Sequence, residues 1–141
     1  MAFVVDSSIT ACWAFSDESN ADATLALKRM SSERALVPPL WWFEMRNVLM
    51  VNERRGRLTE WSTVAFLRKL TRLPITIEPL PDSVAVVALS RAHRLTVYDA
   101  AYLELAQREG VPMATLDSDL IRAARSEGVP LIQAKARGTR R

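Results

Sequence analysis

Four acids in this chain sit where carboxylates could work together. Asp6 directly follows the apolar stretch Ala2-Phe3-Val4-Val5, and Asp117 directly follows Met113-Ala114-Thr115-Leu116. Glu44 is embedded in Leu40-Trp41-Trp42-Phe43-Glu44-Met45, and Asp99 in Val97-Tyr98-Asp99-Ala100-Ala101-Tyr102. An acid placed among apolar residues is costly to bury unless something compensates its charge. No lysine lies near any of the four in sequence, and a bound divalent cation would be a suitable partner. Carboxylate oxygens select hard ions, so the candidates are Mg²⁺ and Mn²⁺. Such an ion lowers the pKa of a bound water and clamps phosphate oxygens as charge develops on them. Ser8, Asn47 and Thr115 lie close to these acids and are candidates to orient water or phosphate.

Each residue also has a purely structural reading. Asp6 can cap a helix, Asp99 can be the acid of a capping box begun by Thr96, and Asp117 or Ser118 can cap the last helix. Asp119 then complements that helix's dipole. Ser8, Asn47 and Thr115 can serve as caps or make local hydrogen bonds. Glu44 is the hardest to explain this way, because no cap requires an acid between Phe43 and Met45. The joint pattern is more specific than any member.

Composition narrows the alternatives. With one cysteine and one histidine among 141 residues, an intrachain disulfide, a cysteine zinc cluster and a multi-histidine metal site are all excluded. The net charge of +3 is unevenly placed. Lys135, Arg137, Arg140 and Arg141 lie in a seven-residue tail without acids, and the body keeps 15 basic against 16 acidic residues. Arg54, Arg55 and Arg57 form a second basic cluster, either a phosphate-recognising patch or a solvated face. Apolar runs are short, and the N-terminus lacks the basic start and long apolar core of a signal peptide. A cytoplasmic location without membrane contact is expected. Glycine-rich phosphate loops are absent: there is no P-loop and no Gly-x-Gly-x-x-Gly after the first strand. Asp6-Ser7-Ser8 also lacks the second aspartate that a haloacid-dehalogenase-like phosphatase would use.

The elements that must position the acids follow from periodicity and punctuation. Strands are predicted over Ala2 to Val5, Arg34 to Val37, Ile75 to Glu78, Pro112 to Leu116 and Val129 to Gln133. Helices are predicted near 9–15, over 20–32, 40–55, from Thr59 or Glu60 to about Leu73, from Pro81-Asp82 to about Arg94, over Thr96 to Arg108, and over Ser118 to Glu127. Ser7 or Ser8 is the expected cap of the first helix. This alternation predicts an α/β fold with a mainly parallel sheet and helices on both faces. In such sheets ligands bind at the carboxyl ends of strands, where Asp6 and Asp117 fall. Trp13, Trp41, Trp42, Phe43 and Trp61 are expected in the core or at an interface, Cys12 in the interior, and His93 on the surface.

The ordered motifs resemble those of the PIN-domain family, specifically the VapC-type toxins of toxin–antitoxin pairs. They run from Val4-Val5-Asp6-Ser7-Ser8 through Trp13, Asp17-Glu18, Pro38, Trp42, Glu44, Asn47-Val48-Leu49 and Arg55-Gly56-Arg57-Leu58-Thr59. The densest match is Leu95 to Tyr102 with Leu105-Ala106, followed by Ala114-Thr115-Leu116-Asp117, Leu120 and Ala123-Ala124. The resemblance implies a PIN-like three-layer α/β/α sandwich over residues 1–134, with residues 135–141 as a basic tail outside the shared pattern. It implies a homodimer, a small antitoxin partner, and Mg²⁺- or Mn²⁺-dependent cleavage of RNA. Asp6, Glu44, Asp99 and Asp117 match the family's acidic quartet, and Asp119 falls where some members carry a further acid. Two rival readings are a non-catalytic RNA-binding module and a PIN-like nuclease outside toxin–antitoxin biology.

Overall fold

The structure, a computed structural model, describes residues 1–15 and 17–135. Its first strand, β1 (Ala2–Val5), leads into the short helix α1 (Ser7–Cys12) and then α2 (Ala21–Arg29). Next come β2 (Arg34–Val37), α3 (Leu40–Arg54), α4 (Glu60–Thr71) and β3 (Ile75–Ile77). The chain continues through α5 (Ser83–His93), α6 (Val97–Glu109), β4 (Met113–Ala114) and α7 (Ser118–Ser126).

The four strands form one sheet in the order β3-β2-β1-β4, with every pair parallel. Successive residues of a strand point to opposite faces. Phe3, Val4 and Val5 are all fully buried, so both faces of β1 are covered. On one side α6 lies across β1 and β2 and packs against α5 and α7. The other helices pack on one another, α1 against α2 and α3, α3 against α4, and α2 against β4. The expected α/β/α layering is thus borne out, with a sheet that is wholly parallel rather than mainly so.

The chain passes from β1 outward to β2 and β3 and then returns to place β4 on the other side of β1. The carboxyl ends of β1 and β4 therefore flank the point where the strand order reverses. Such a point opens a crevice between connections leaving in opposite directions. The ladder extends one step beyond β1, where the Asp6 N–H donates to the Ala114 carbonyl at 3.2 Å.

Local chemistry explains the helix ends. Asn20, Thr59, Asp82, Thr96 and Asp117 each accept a backbone N–H from the first turn of the helix they precede. The cap of α1 is Asp6, whose Oδ1 accepts from the Ile9 N–H at 3.1 Å, and neither Ser7 nor Ser8 plays that part. A carboxylate reaches the N–H three positions on, whereas the two serines already lie within the first helical turn. Pro39 precedes α3 without a side-chain cap, in keeping with its fixed φ. Gly110 closes α6 at φ +64°, a left-handed conformation that a side chain would strain.

Several expectations are corrected. The helices near 9–15, over 20–32 and from Thr59 or Glu60 to Leu73 are shorter than predicted, and turns occupy their ends. The strand predicted over Val129 to Gln133 is a single parallel bridge, Met113 to Leu131. Its partner β4 is only two residues long, and the Asp22 carboxylate captures the Ala134 N–H at 2.6 Å. Trp41 is buried, its indole N–H donating to Thr10 Oγ1 at 3.0 Å, and Trp13 is half-buried. Trp42, Phe43 and Trp61 are exposed, so none belongs to the core. Cys12 is half-buried. Desolvation raises its thiol pKa, and the nearby Glu18 carboxylate adds to the effect. His93 is not a free surface residue: its ring is half-buried, with Nε2 2.6 Å from Glu127 at the end of α7. Arg57 stacks on Phe15 and bridges to Asp17 and Glu18, which removes it from an open basic cluster. The tail from Ala136 to Arg141 lies outside the described residues.

Candidate active site

Asp6 is 4% exposed, at the carboxyl end of the central strand. Its Oδ1 accepts from Ser8 Oγ at 2.6 Å and from the Ile9 N–H, while Oδ2 accepts from the Thr115 hydroxyl. Ser8 Oγ in turn accepts from the Leu116 N–H at 2.9 Å, and Thr115 Oγ1 from the Asp117 N–H at 3.0 Å. These bonds tie the start of α1 to the loop after β4. Burial raises the Asp6 pKa; the Ser8, Thr115 and Ile9 donors oppose that rise, and the Asp117 charge adds to it.

Asp117 caps α7, its Oδ1 accepting from the Leu120 N–H at 2.9 Å. Asp99 occupies the first turn of α6. Burial raises its pKa, followed by the charge of Asp117; the Thr96 hydroxyl lowers it, and the charge of Asp119 raises it. Thr96 Oγ1 accepts from the Asp99 N–H at 3.1 Å, as expected of a cap. The return bond of a capping box, from the Thr96 N–H to the Asp99 carboxylate, is not found among the described residues. The structural reading therefore accounts for the backbone of Asp99 and sets only the Thr96 hydroxyl against its side chain.

Glu44 reaches the same region from α3. Burial raises its pKa, the hydroxyls of Tyr102 and Ser7 lower it, and the charges of Asp99 and Asp6 raise it again. Tyr102 donates its phenolic proton to Glu44 Oε1 at 2.5 Å. Burial and then the Glu44 charge push that phenol far above its ordinary range. These mutual influences place Asp6, Glu44, Asp99 and Asp117 in one electrostatic neighbourhood at the β1/β4 switch point.

The remaining candidates divide. Ser8 and Thr115 contact Asp6 directly. Asn47, one turn beyond Glu44, is exposed and makes no hydrogen bond to any of the acids. Asp119 is 61% exposed and paired with Arg122 at 2.8 Å, so a cation already answers its charge. Tyr102 and Ser7 were not singled out from the sequence. A tyrosine one turn after Asp99 looks like core packing, and only the contact with Glu44, 58 positions away, reveals its polar end.

No arginine or lysine among the described residues bridges to Asp6, Glu44, Asp99 or Asp117. Glu104 gives the contrast. It too is buried, in the same helix as Asp99, but Arg108 grips it with two nitrogens at 2.9 and 3.1 Å. The fold thus compensates its structural buried acid with a guanidinium and leaves the four clustered acids without one. Among the described residues no three of these carboxylates close around a single point, and Asp6, Glu44 and Asp117 are turned to protein donors. The donor set nonetheless fits a hard divalent cation, since it is all oxygen, net negative and lacks a protein counter-charge.

Comparison with known proteins decides the family. A family model for the PIN domain matches residues 3–126. The chain belongs to the PIN-domain family. Within it, ribonuclease VapC3 of Pyrobaculum aerophilum is 32% identical over 126 residues, covering 85% of this chain and 92% of that protein. The expected likeness to VapC-type members is thereby borne out. The crystal structure of PAE2754 from Pyrobaculum aerophilum has a TM-score of 0.69 at 24% identity, covering 94% of this chain and 92% of the other. VapC20 of Mycobacterium tuberculosis, described as a sarcin-ricin loop cleaving toxin, has a TM-score of 0.58 at 15% identity, covering 86% and 94%. These two likenesses establish the shared PIN fold.

Proposed function

We propose that this PIN-domain protein is a metal-dependent endoribonuclease and the toxin of a toxin–antitoxin pair. The observation that carries the reading is the contrast at the switch point: four carboxylates share one field without a cationic partner, while buried Glu104 in the same fold has one. Similarity to a ribonuclease VapC over most of both chains supports RNA as the substrate.

Asp6, Glu44, Asp99 and Asp117 would hold Mg²⁺ or Mn²⁺. When bound, such an ion supplies an activated water and stabilises charge on the phosphate. The protein's own part is positioning. Ser8 and Thr115 fix the Asp6 carboxylate, Tyr102 fixes Glu44, and the caps at Thr96 and Asp117 hold the helix starts that present Asp99 and Asp117. A cytoplasmic location is part of the proposal. No helix among the described residues is long and apolar enough to cross a membrane. A homodimer is part of the proposal, as is a small antitoxin that covers the groove near α2 and α3 and offers an arginine to the carboxylates.

Purified protein should cleave RNA with Mg²⁺ or Mn²⁺ and lose that activity in EDTA. Expression alone should arrest growth, and co-expression with the cognate antitoxin should relieve it. Full cleavage after thorough metal removal would refute the mechanism. Metal-dependent binding without cleavage would favour a non-catalytic RNA module, and cleavage of DNA alone would favour the other rival.

The domain division belongs to the same proposal, with residues 1–134 as the catalytic domain and 135–141 as an accessory basic tail. Deleting 135–141 should weaken RNA binding and flatten its dependence on salt, because fewer phosphate contacts release fewer counterions. Thermal stabilisation by Mn²⁺ should be unchanged. The slope of log affinity against log salt measures the effect, and an unaltered slope would show the tail to be a bystander.

A further inference from the structure

The contact between Tyr102 and Glu44 does more than satisfy a buried hydroxyl. Tyr102 follows Asp99 by three positions on α6, the spacing that puts two side chains on one helix face. Its ring is 1% exposed and packed in the core, so it has little freedom to turn. Its hydroxyl ends at Glu44 Oε1, at 2.5 Å. The hydroxyl of Ser7, the first residue of α1, lies close enough to both groups to lower their pKa values. This hub joins the starts of α1, α3 and α6, the elements next to or carrying Asp6, Glu44 and Asp99.

A carboxylate swings readily about its last bonds unless its oxygens are engaged. Here Oε1 is committed to a donor that cannot follow it, and a charge-assisted bond of this kind is about twice as strong as a neutral one. Among the described residues Oε1 is the Glu44 oxygen with a hydrogen-bond partner, so Oε2 is the one open to another ligand. We propose that Tyr102, assisted by Ser7, is a positioning residue that restricts Glu44 to one-oxygen ligation and so biases the site towards Mg²⁺ over Ca²⁺. This rests on the metal-site reading given above. Mg²⁺ takes six ligands in a tight octahedron and keeps several waters, so one oxygen per carboxylate suffices. Ca²⁺ prefers six to eight oxygens and commonly takes both oxygens of a carboxylate. Holding back Oε1 withdraws what the larger ion would gain.

The test uses the full chain and the metals alone as probes. Wild type and Tyr102→Phe are melted across titrations of MgCl₂ and of CaCl₂, and each apparent affinity is read from the rise in Tm. The ratio of Mg²⁺ to Ca²⁺ affinity is taken within each protein, so a general change in stability cancels. Tyr102→Phe should shift this ratio towards Ca²⁺ by about tenfold, the scale set by loss of one hydrogen bond to a charged group. Ser7→Ala should shift it the same way by less, and it carries the test if Tyr102→Phe does not fold. In a Glu44→Gln background, Tyr102→Phe should no longer move the ratio.

An unchanged ratio in Tyr102→Phe, with wild type responding to Mg²⁺, overturns the proposal and leaves the metal site standing. A shift that persists in the Glu44→Gln background assigns the effect to loosened packing and overturns it equally. A wild type that responds to no divalent ion removes the metal-site reading itself, and this proposal with it.

Discussion

Asp99→Asn should reduce RNA cleavage by about three orders of magnitude and leave the metal-free protein at least as stable as wild type. The activity loss follows from removing one of four oxygen-donor groups. Metal charge stabilisation amounts to several kcal/mol of the barrier, and each 1.36 kcal/mol is a factor of ten in rate. The stability follows from what the side chain does not do. The bond from residue 99 to Thr96 runs through the backbone N–H and survives the substitution. The negative charge, which Asp117 opposes, is gone. Asp6→Asn should lose activity similarly, since it too removes an anionic donor, while α1 keeps its cap because asparagine caps a helix as well as aspartate does. Glu104→Gln is the informative opposite. It breaks the pair with Arg108, so it should lower Tm while keeping both cleavage and the response to metal. Melting curves with and without Mn²⁺, run beside a cleavage assay on the three variants, decide the matter. If Asp99→Asn kept the full Mn²⁺ shift, the carboxylate site would have to be abandoned.

Without metal, the protein should grow more stable as pH falls from neutrality into the mildly acid range, the reverse of ordinary acid sensitivity. Asp6, Glu44 and Asp99 all have pKa values raised in the folded state, chiefly by burial. A raised carboxyl binds its proton more tightly when folded than when unfolded. Its contribution to stability is therefore fully present below the unfolded value, and it is lost as pH rises through the folded value. The unfolded values are 3.8 for the aspartates and 4.5 for the glutamate, so the gain begins above this range and grows on acidification towards it. Glu127 acts with the opposite sign. The His93 and Gln107 hydrogen bonds hold its pKa below 4.5, so its contribution is lost only at still lower pH. Mn²⁺ should reverse the trend, because the ion needs ionised carboxylates and competes with protons for them. At about a hundred times its Kd, such an ion adds roughly 2.7 kcal/mol. Tm measured against pH in EDTA and in excess Mn²⁺ should give curves of opposite slope on the acid side of neutrality, above the unfolded carboxyl values. Parallel curves would mean that the acids neither sense one another nor bind metal.

Much of the framework is legible because it is written in local terms. β1 and β2 are short apolar runs ending in polar residues or proline, and α3 and α5 carry the spacing of helices with a buried side, while α6 is buried all round from Ala100 to Ala106. The end of β1 locates Asp6, whereas β4 ends at Ala114 and not at the expected Leu116, so Asp117 stands three residues beyond its strand as the cap of α7. Element ends were less legible, since a helix stops where its last hydrogen bonds find other partners. The Met30, Ser31 and Ser32 N–H groups, for example, bond three residues back to the last carbonyls of α2, which tightens the chain into turns and ends the α-helix. The expected strand at 129–133 failed for a related reason, because a strand extends only as far as its neighbour does.

By itself, the sequence determined the α/β class, the four acids and the oxygen-only character of any metal site. These depend on residue type and on neighbours a few positions away. Strand order, with β4 returning to the far side of β1, was decided by tertiary structure, and that return brings Asp117 to Asp6. The Glu104–Arg108 pair has the i,i+4 spacing that the sequence itself carries, whereas only the folded chain brings Tyr102 and Ser7 to Glu44. Charge compensation is a property of distance in space, and the partner that gives Glu44 its role is 58 positions away in the chain.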